Sequence, residues 1–408
     1  MKAYVIDNKQ HTVNLKQVEK PTIKNGELLL KNLKWSICRT DVSQVRNELG
    51  EDASGKVPGH EILARIEESR DPRFDAGDYV VYMGATDFGG GAEYKAIRFV
   101  LPNDPIRGKE FSVTDWFWTT RNFYDVPGAA VIKINPANSK LRRYGSLLEP
   151  LCCVLRALEK YPPNAGDNAI ILGAGCIGML ALQCMKKLYG VDRVAILDID
   201  EKKLQRVNDV YKEYGESIET FCIKEPSEEQ RTTLLPDLKQ HPKKLIDYPL
   251  EHYTALLGEQ NKELDDLIQK TKGAFGNYLF EALPPLPEDQ QFPHTRFLGA
   301  DLLAPNSRYV HFSADAIEEK TKFFWPLLAK GLTLHSAGFD QRCYPMPRTA
   351  LVLQKACAYV EADIISPEKL VTSEIHFDDE RAVQKAFSDY GTGEHMWKTV
   401  VTISDSDG

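Results

Sequence analysis

Asn168-Ala169-Ile170-Ile171-Leu172-Gly173-Ala174-Gly175-Cys176-Ile177-Gly178 is an apolar strand that runs directly into a G-x-G-x-x-G turn. A strand apolar at consecutive positions is buried on both faces, as in a parallel sheet covered by helices. The pattern predicts a helix from the turn to about Tyr189, ended by Gly190, and then a second strand, Val194–Leu197, closed by Asp198. Each part has a physical task. Gly173 permits the tight turn, Gly175 lets backbone approach a pyrophosphate, and Gly178 lets the helix pack on the strand. Cys176 and Ile177 open the helix, whose free N–H groups face the phosphates. Asp198, twenty positions past Gly178, is placed to accept hydrogen bonds from an adenosine ribose. Its charge would repel a 2′-phosphate, so the expected cofactor is NAD. Lys203 either reaches the same ribose or is solvated.

Upstream of this unit the chain reads differently. Leu28–Leu30, Glu61–Ile66 and Asp78–Tyr82 are short strands, punctuated by Pro58-Gly59 and Gly89-Gly90-Gly91. Downstream, Asn277–Leu283, Arg308–Phe312 and Leu332–Ala337 extend the α/β pattern. A helix near Arg348–Glu361 and a last strand, Lys398–Ile403, follow. Two segments interrupt the scheme and read as insertions: residues 103–127, rich in aromatics such as Trp116 and Trp118, and residues 224–267, highly charged.

The 408 residues exceed one ordinary core, so two domains are expected. The net charge of -8 argues against nucleic acid as a partner. No apolar run approaches the roughly 18 residues of a membrane span, and the opening residues do not read as a signal peptide. Eight cysteines are too few for a disulfide scaffold in a chain of this length. Reduced thiols in a cytoplasmic protein are expected.

Cys38, His60 and Glu149 are competent zinc ligands, and three protein ligands with an open fourth position make a catalytic site. Each also has a plain structural reading: a buried small hydrophobe, a satisfied loop histidine, a surface carboxylate. Their wide separation leaves that choice open. Cys152 and Cys153 adjoin Glu149, but they open an apolar helix and read as core.

Cys38-Arg39-Thr40-Asp41, Pro58-Gly59-His60-Glu61, Gly89-Gly90-Gly91-Ala92-Glu93-Tyr94, Leu148-Glu149-Pro150 and the glycine turn occur in that order. With them the chain resembles the zinc-containing medium-chain alcohol dehydrogenases from its start to Ile403, insertions excepted. Glu149 resembles the polyol and threonine dehydrogenase branches. The resemblance implies an α/β protein: a GroES-like β-rich catalytic domain, roughly Met1–Leu151 plus Thr333–Gly408, and a doubly wound Rossmann domain between. It implies zinc held by Cys38, His60 and Glu149, with Glu61 either an alternating ligand or a residue just behind the ligands, and Lys398 near the pyrophosphate.

The implied activity is hydride transfer between NAD and a secondary alcohol, such as a polyol, amino alcohol or sugar-like compound. Thr40, two residues after a ligand, would take the hydroxyl proton and pass it outward. The implied partners are a small-molecule substrate and further copies of the chain, as a dimer or tetramer. Two other readings remain: a zinc-free reductase of activated double bonds, and a non-catalytic NAD-binding interaction protein. The chain also departs from the family. No cysteine lies between Val81 and Glu149, so the second, structural zinc of many members is not expected. Ser43 stands where some members carry a relay histidine.

Overall fold

The structure, a computed structural model, describes residues 1–48, 52–83, 88–97, 99–100, 129–223, 275–283, 294–312, 331–336 and 346–404. Both predicted insertions, residues 103–127 and 224–267, lie outside the described residues. The chain separates into two compact units, Met1–Arg156 with Phe339–Gly408, and Ala157–Gly338.

The first unit is built on β1 (Lys2–Asp7), β2 (Thr12–Gln17), β3 (Leu28–Ser36), β4 (Glu61–Ser69), β5 (Tyr79–Met83), β6 (Tyr94–Ile97), β7 (Phe99–Val100) and β8 (Ala129–Lys133). Its helices α1 (Arg39–Val45), α2 (Ser139–Tyr144) and α3 (Leu148–Lys160) come from the same stretch. β3 is the hub of a mixed sheet, pairing antiparallel with β4 and β6. The last strand, β16 (Lys398–Thr402), returns to pair antiparallel with β3. The leucine-rich start of β3 packs with Ile62, Ile66 and Tyr82, while Trp35 near its end joins Tyr4, Phe377 and Phe387. Register matters more here than the core. Ser36 pairs with Glu61, so the residues just after β3 lie beside those just before β4. Val400 also pairs with Ser36, which brings the start of β16 to the same corner.

The second unit carries β9 (Asn168–Leu172), α4 (Cys176–Leu188), β10 (Arg193–Asp198), α5 (Glu201–Val210), β11 (Ile218–Cys222), β12 (Gly276–Glu281), α6 (His294–Asp301), β13 (Leu303–His311) and β14 (Thr333–Ser336). The six strands are all parallel, in the order β11-β10-β9-β12-β13-β14. This is the 3-2-1-4-5-6 arrangement of a dinucleotide-binding sheet, with β9 as its first strand. Helices cover both faces. A Cβ on Gly178 of α4 would meet Ile171, and one on Gly299 of α6 would meet Leu172. Successive strand residues point to opposite faces, so α4 and α6 lie on opposite sides. The sheet is doubly wound, and with the β-rich first unit it matches the expected fold class.

One expectation needs correction. Thr333–Ser336, expected to begin the return to the first domain, pairs with Arg308–His311 and is the edge strand of the parallel sheet. The returning segment is instead described from α7 (Met346–Glu361), through β15 (Val371–His376) and α8 (Glu380–Ser388), to β16. Among the described residues no helix is long and apolar enough to cross a membrane.

Candidate dinucleotide and metal sites

In the second unit the glycine turn is shaped by contacts that only glycine tolerates. Gly173 has φ +100°, and a Cβ there would come 2.9 Å from the Ala282 carbonyl oxygen. A Cβ on Gly178 would lie 2.0 Å from the Gly173 oxygen, so α4 can approach the turn this closely only without a side chain. A Cβ on Gly175 meets nothing within 4 Å. This glycine is the N-cap of α4 and supplies no side-chain cap. An uncapped helix start beside open space is the cradle that a pyrophosphate needs. Cys176 and Ile177 form the first turn of α4.

Asp198 closes β10 and is buried. One carboxylate oxygen accepts the Ala174 N–H at 2.7 Å, and the other accepts the Asp200 N–H at 2.9 Å. The acid therefore clamps the glycine turn to the start of α5. Each oxygen keeps lone-pair capacity for a ribose hydroxyl. Lys203 lies in the first turn of α5, where Asp200 caps its N–H, and its side chain is half-buried. Ile199, beside the acid, is 54% exposed. Nothing in the sequence pattern singled it out, because an apolar residue after a strand normally reads as core.

In the first unit the sulfur of Cys38, a ring nitrogen of His60 and a carboxylate oxygen of Glu61 all lie within 4.8 Å of one another. Cys38 is the N-cap of α1, and His60 directly precedes β4. Buried Asp41 ties the two loops together. It accepts the Cys38 N–H at 3.0 Å, the Gly59 N–H at 2.9 Å and Trp35 Nε1–H at 3.4 Å. It also lies 3.6 Å from Nδ1 of His60, as carboxylates do behind metal-binding histidines. Gly59 has φ +99°, and a Cβ there would come 2.7 Å from Trp35 Nε1. A glycine at this position is what lets His60 turn inward.

Glu61 is buried and pairs with the equally buried Lys398. Lys398 was expected near the pyrophosphate, but its ammonium group bonds the Glu61 carboxylate and approaches the Ile37 carbonyl at 3.5 Å. Burial pushes the Glu61 carboxyl up, to about 7. Lys398 opposes that shift and the nearby Glu149 carboxylate adds to it. Burial alone would lower the His60 pKa, but the neighbouring Cys38 sulfur and Asp41 outweigh it and hold the pKa well above the ordinary value.

Glu149, in the first turn of α3, is buried and close enough to act on Glu61. Its own Oε1 accepts a hydrogen bond from the Cys153 thiol at 3.4 Å. The tight cluster thus contains Glu61 where the expected primary set had Glu149, with Glu149 beside it. Thr40 Oγ1 lies 3.7 Å from Cys38 Sγ. Ser43 donates to Glu48 at 2.8 Å, which also binds Arg39. Cys152 is buried in the core, as expected, and touches the Thr349 carbonyl.

The donor chemistry fits zinc, which takes thiolate, imidazole and carboxylate together. Glu61 Oε2 and His60 Nδ1 are buried and have no hydrogen-bond partner among the described residues. A buried carboxylate oxygen left so costs about 1–3 kcal/mol unless a cation satisfies it.

No family model matches the chain. Among characterised proteins, the chain is similar to L-threonine 3-dehydrogenase of Bacillus velezensis, with 28% identity over 214 residues, 50% of this chain and 58% of that protein. It is 35% identical over 95 residues to galactitol 1-phosphate 5-dehydrogenase of Escherichia coli, 23% of this chain and 26% of that one. The chain thus spans little more than half of the first relative and about a quarter of the second. Among solved structures, an alcohol dehydrogenase of Escherichia coli CFT073 complexed with NADH superposes with a TM-score of 0.62, covering 99% of both chains at 17% identity. These relatives and the solved neighbour are named as dehydrogenases, and the chain has the fold of the solved one.

Proposed function

We propose that this protein is a zinc- and NAD-dependent dehydrogenase that transfers a hydride between NAD and a secondary alcohol of the polyol, amino alcohol or sugar-like class. The observation that carries the reading is the close group of Cys38, His60 and Glu61, with Glu61 Oε2 buried and unpartnered among the described residues, in a chain that also has a dinucleotide cradle. The substrate class rests on the relatives, which are named for threonine and galactitol 1-phosphate.

When bound, zinc supplies Lewis-acid polarisation of the substrate hydroxyl, and NAD supplies the hydride acceptor. The chain's own residues do the rest. Cys38 and His60 would hold the metal, and Asp41 fixes both loops and stands 3.6 Å behind the imidazole. Glu61 and Glu149 are the two carboxylates available as further ligands, and Lys398 pairs with Glu61 when it is not one. The Thr40 hydroxyl, beside Cys38, takes the substrate proton and hands it to water, because Ser43 is engaged by Glu48. Gly173, Gly175 and Gly178 with the start of α4 hold the pyrophosphate, and Asp198 and Lys203 address the adenosine ribose. A 2′-phosphate beside Asp198 would meet a buried negative charge, which favours NAD over NADP.

One zinc per chain is proposed, because the stretch from Val81 to Glu149 has no cysteine for a second. A homo-oligomer is proposed on the family resemblance alone, and light scattering tests it. For the activity, purified protein is assayed with NAD over a panel of polyols and amino alcohols, with zinc content measured in parallel. Turnover of at least one alcohol by wild type and none by Cys38→Ser, with about one zinc per chain in wild type only, is expected. Equal inertness of both proteins with every alcohol and ketone would overturn the reading.

A further inference from the structure

The sequence reads both Cys152 and Cys153 as core, yet only the first behaves so. Cys152 is fully buried against the Thr349 carbonyl, whereas the half-buried Cys153 thiol donates to Glu149 Oε1 at 3.4 Å. Glu149 and Cys153 are four residues apart in α3, so they lie on one face of it. Helical side chains lean toward the N-terminus, which carries the Cys153 sulfur back over the first turn, where Glu149 stands. Glu149 is buried, and among the described residues no second donor is hydrogen-bonded to it.

The turn before α3 brings this carboxylate to the candidate metal site. Gly145–Leu147 runs directly into α3 and packs on both β3 and β4. Its Ser146 hydroxyl bonds the Ser36 hydroxyl at 2.6 Å, and both side chains are fully buried. Ser36 in turn pairs with Glu61. The first turn of α3 is thus pinned beside the strand ends, with Glu149 close to Glu61. Even so, the carboxylate that stands within 4.8 Å of both the Cys38 sulfur and the His60 ring is that of Glu61. The backbone brings Glu149 near, and the thiol occupies its oxygen.

We propose that Cys153 is a positioning residue of the metal site: by engaging Glu149 Oε1 it holds that carboxylate back, so that Glu61 completes the group with Cys38 and His60. The proposal rests on the zinc reading above and adds a residue that none of the ligand motifs contains. An oxygen that accepts a hydrogen bond has one lone pair fewer for a cation, so the thiol and the metal compete for Oε1. A thiol is a weak donor, which suits a group that biases the choice between two carboxylates.

The test is equilibrium uptake of Co²⁺ by the metal-free full chain, read from the visible absorption of the bound ion, with no substrate or NAD present. One hydrogen bond is worth about fivefold in affinity. Cys153→Ala frees Glu149 for the ion and is expected to bind Co²⁺ about fivefold tighter, with the absorption bands displaced by the added oxygen ligand. Cys153→Val, which also lacks the donor but fills the space, should gain in the same way. Cys153→Ser keeps a donor and should retain wild-type affinity and bands. A merely structural side chain would give the opposite sign, since loosening a metal site weakens it. In a Glu149→Gln background the gain from Cys153→Ala should vanish. Unchanged or weaker Co²⁺ binding in folded Cys153→Ala or Cys153→Val, or a gain that survives Glu149→Gln, overturns the proposal. Wild type that takes up no Co²⁺ would refute the metal reading itself, which is a different result.

Discussion

Asp41 and Lys398 carry more of the candidate metal site than their plain chemistry suggests. Asp41 reads in sequence as one more acid in a helix start, yet it joins Cys38, Gly59, Trp35 and His60. Its partners lie up to nineteen residues away, so no local pattern could reveal it. Lys398 is harder still to foresee, because it meets Glu61 only through the antiparallel return of β16 onto β3. A buried ion pair gains little net stability over apolar residues of equal size, but removing one partner strands the other. Lys398→Met should therefore destabilise the metal-free protein by about 3–5 kcal/mol. Adding Glu61→Gln should recover much of that loss. Urea unfolding of the chelator-treated protein checks both, and a silent Lys398→Met would mean that the pair does not form.

At the scale of elements, the strand–turn–helix at 168–188 was legible because its requirements are steric and local. Gly178 must clear the Gly173 oxygen five residues back, Gly173 takes a positive φ, and a period of 3.6 marks the helix. Two of the motif's glycines make opposite predictions. Gly178→Ala drives a methyl to within 2.0 Å of the Gly173 oxygen, so α4 must shift and both melting temperature and NADH affinity should fall. Gly175→Ala meets nothing within 4 Å. It should melt like wild type while losing NADH affinity, because the methyl occupies the space meant for phosphate. If Gly175→Ala binds NADH normally, the pyrophosphate does not lie against that turn. The edge strand β14 was legible as part of the α/β run, but the domain boundary expected at Thr333 cuts it off from that sheet. Whether Thr333–Ser336 belongs to one domain or the other depends on pairing with Arg308–His311, and four residues carry no mark of that partner.

Across the whole molecule, the two candidate sites are assembled from different parts of the chain: the candidate metal ligands from the first compact unit, the glycine turn and Asp198 from the second. The order of motifs made both legible in outline. The candidate ligand set was less so, because Glu61 reaches Cys38 and His60 through the Ser36–Glu61 register and Glu149 is engaged by Cys153, neither of which a local pattern shows. Separate construction has a consequence for metal removal. None of the contacts that shape the glycine turn involves Cys38, His60 or Glu61, so stripping zinc should leave the cradle intact. Protein treated with dipicolinate and desalted should lose alcohol turnover while its NADH titration keeps the wild-type affinity within about twofold. Re-added Zn²⁺ should restore turnover to wild type and leave Cys38→Ser inert. NADH binding that disappears with the metal would mean that zinc organises the dinucleotide site as well, and the two sites could no longer be treated as independent.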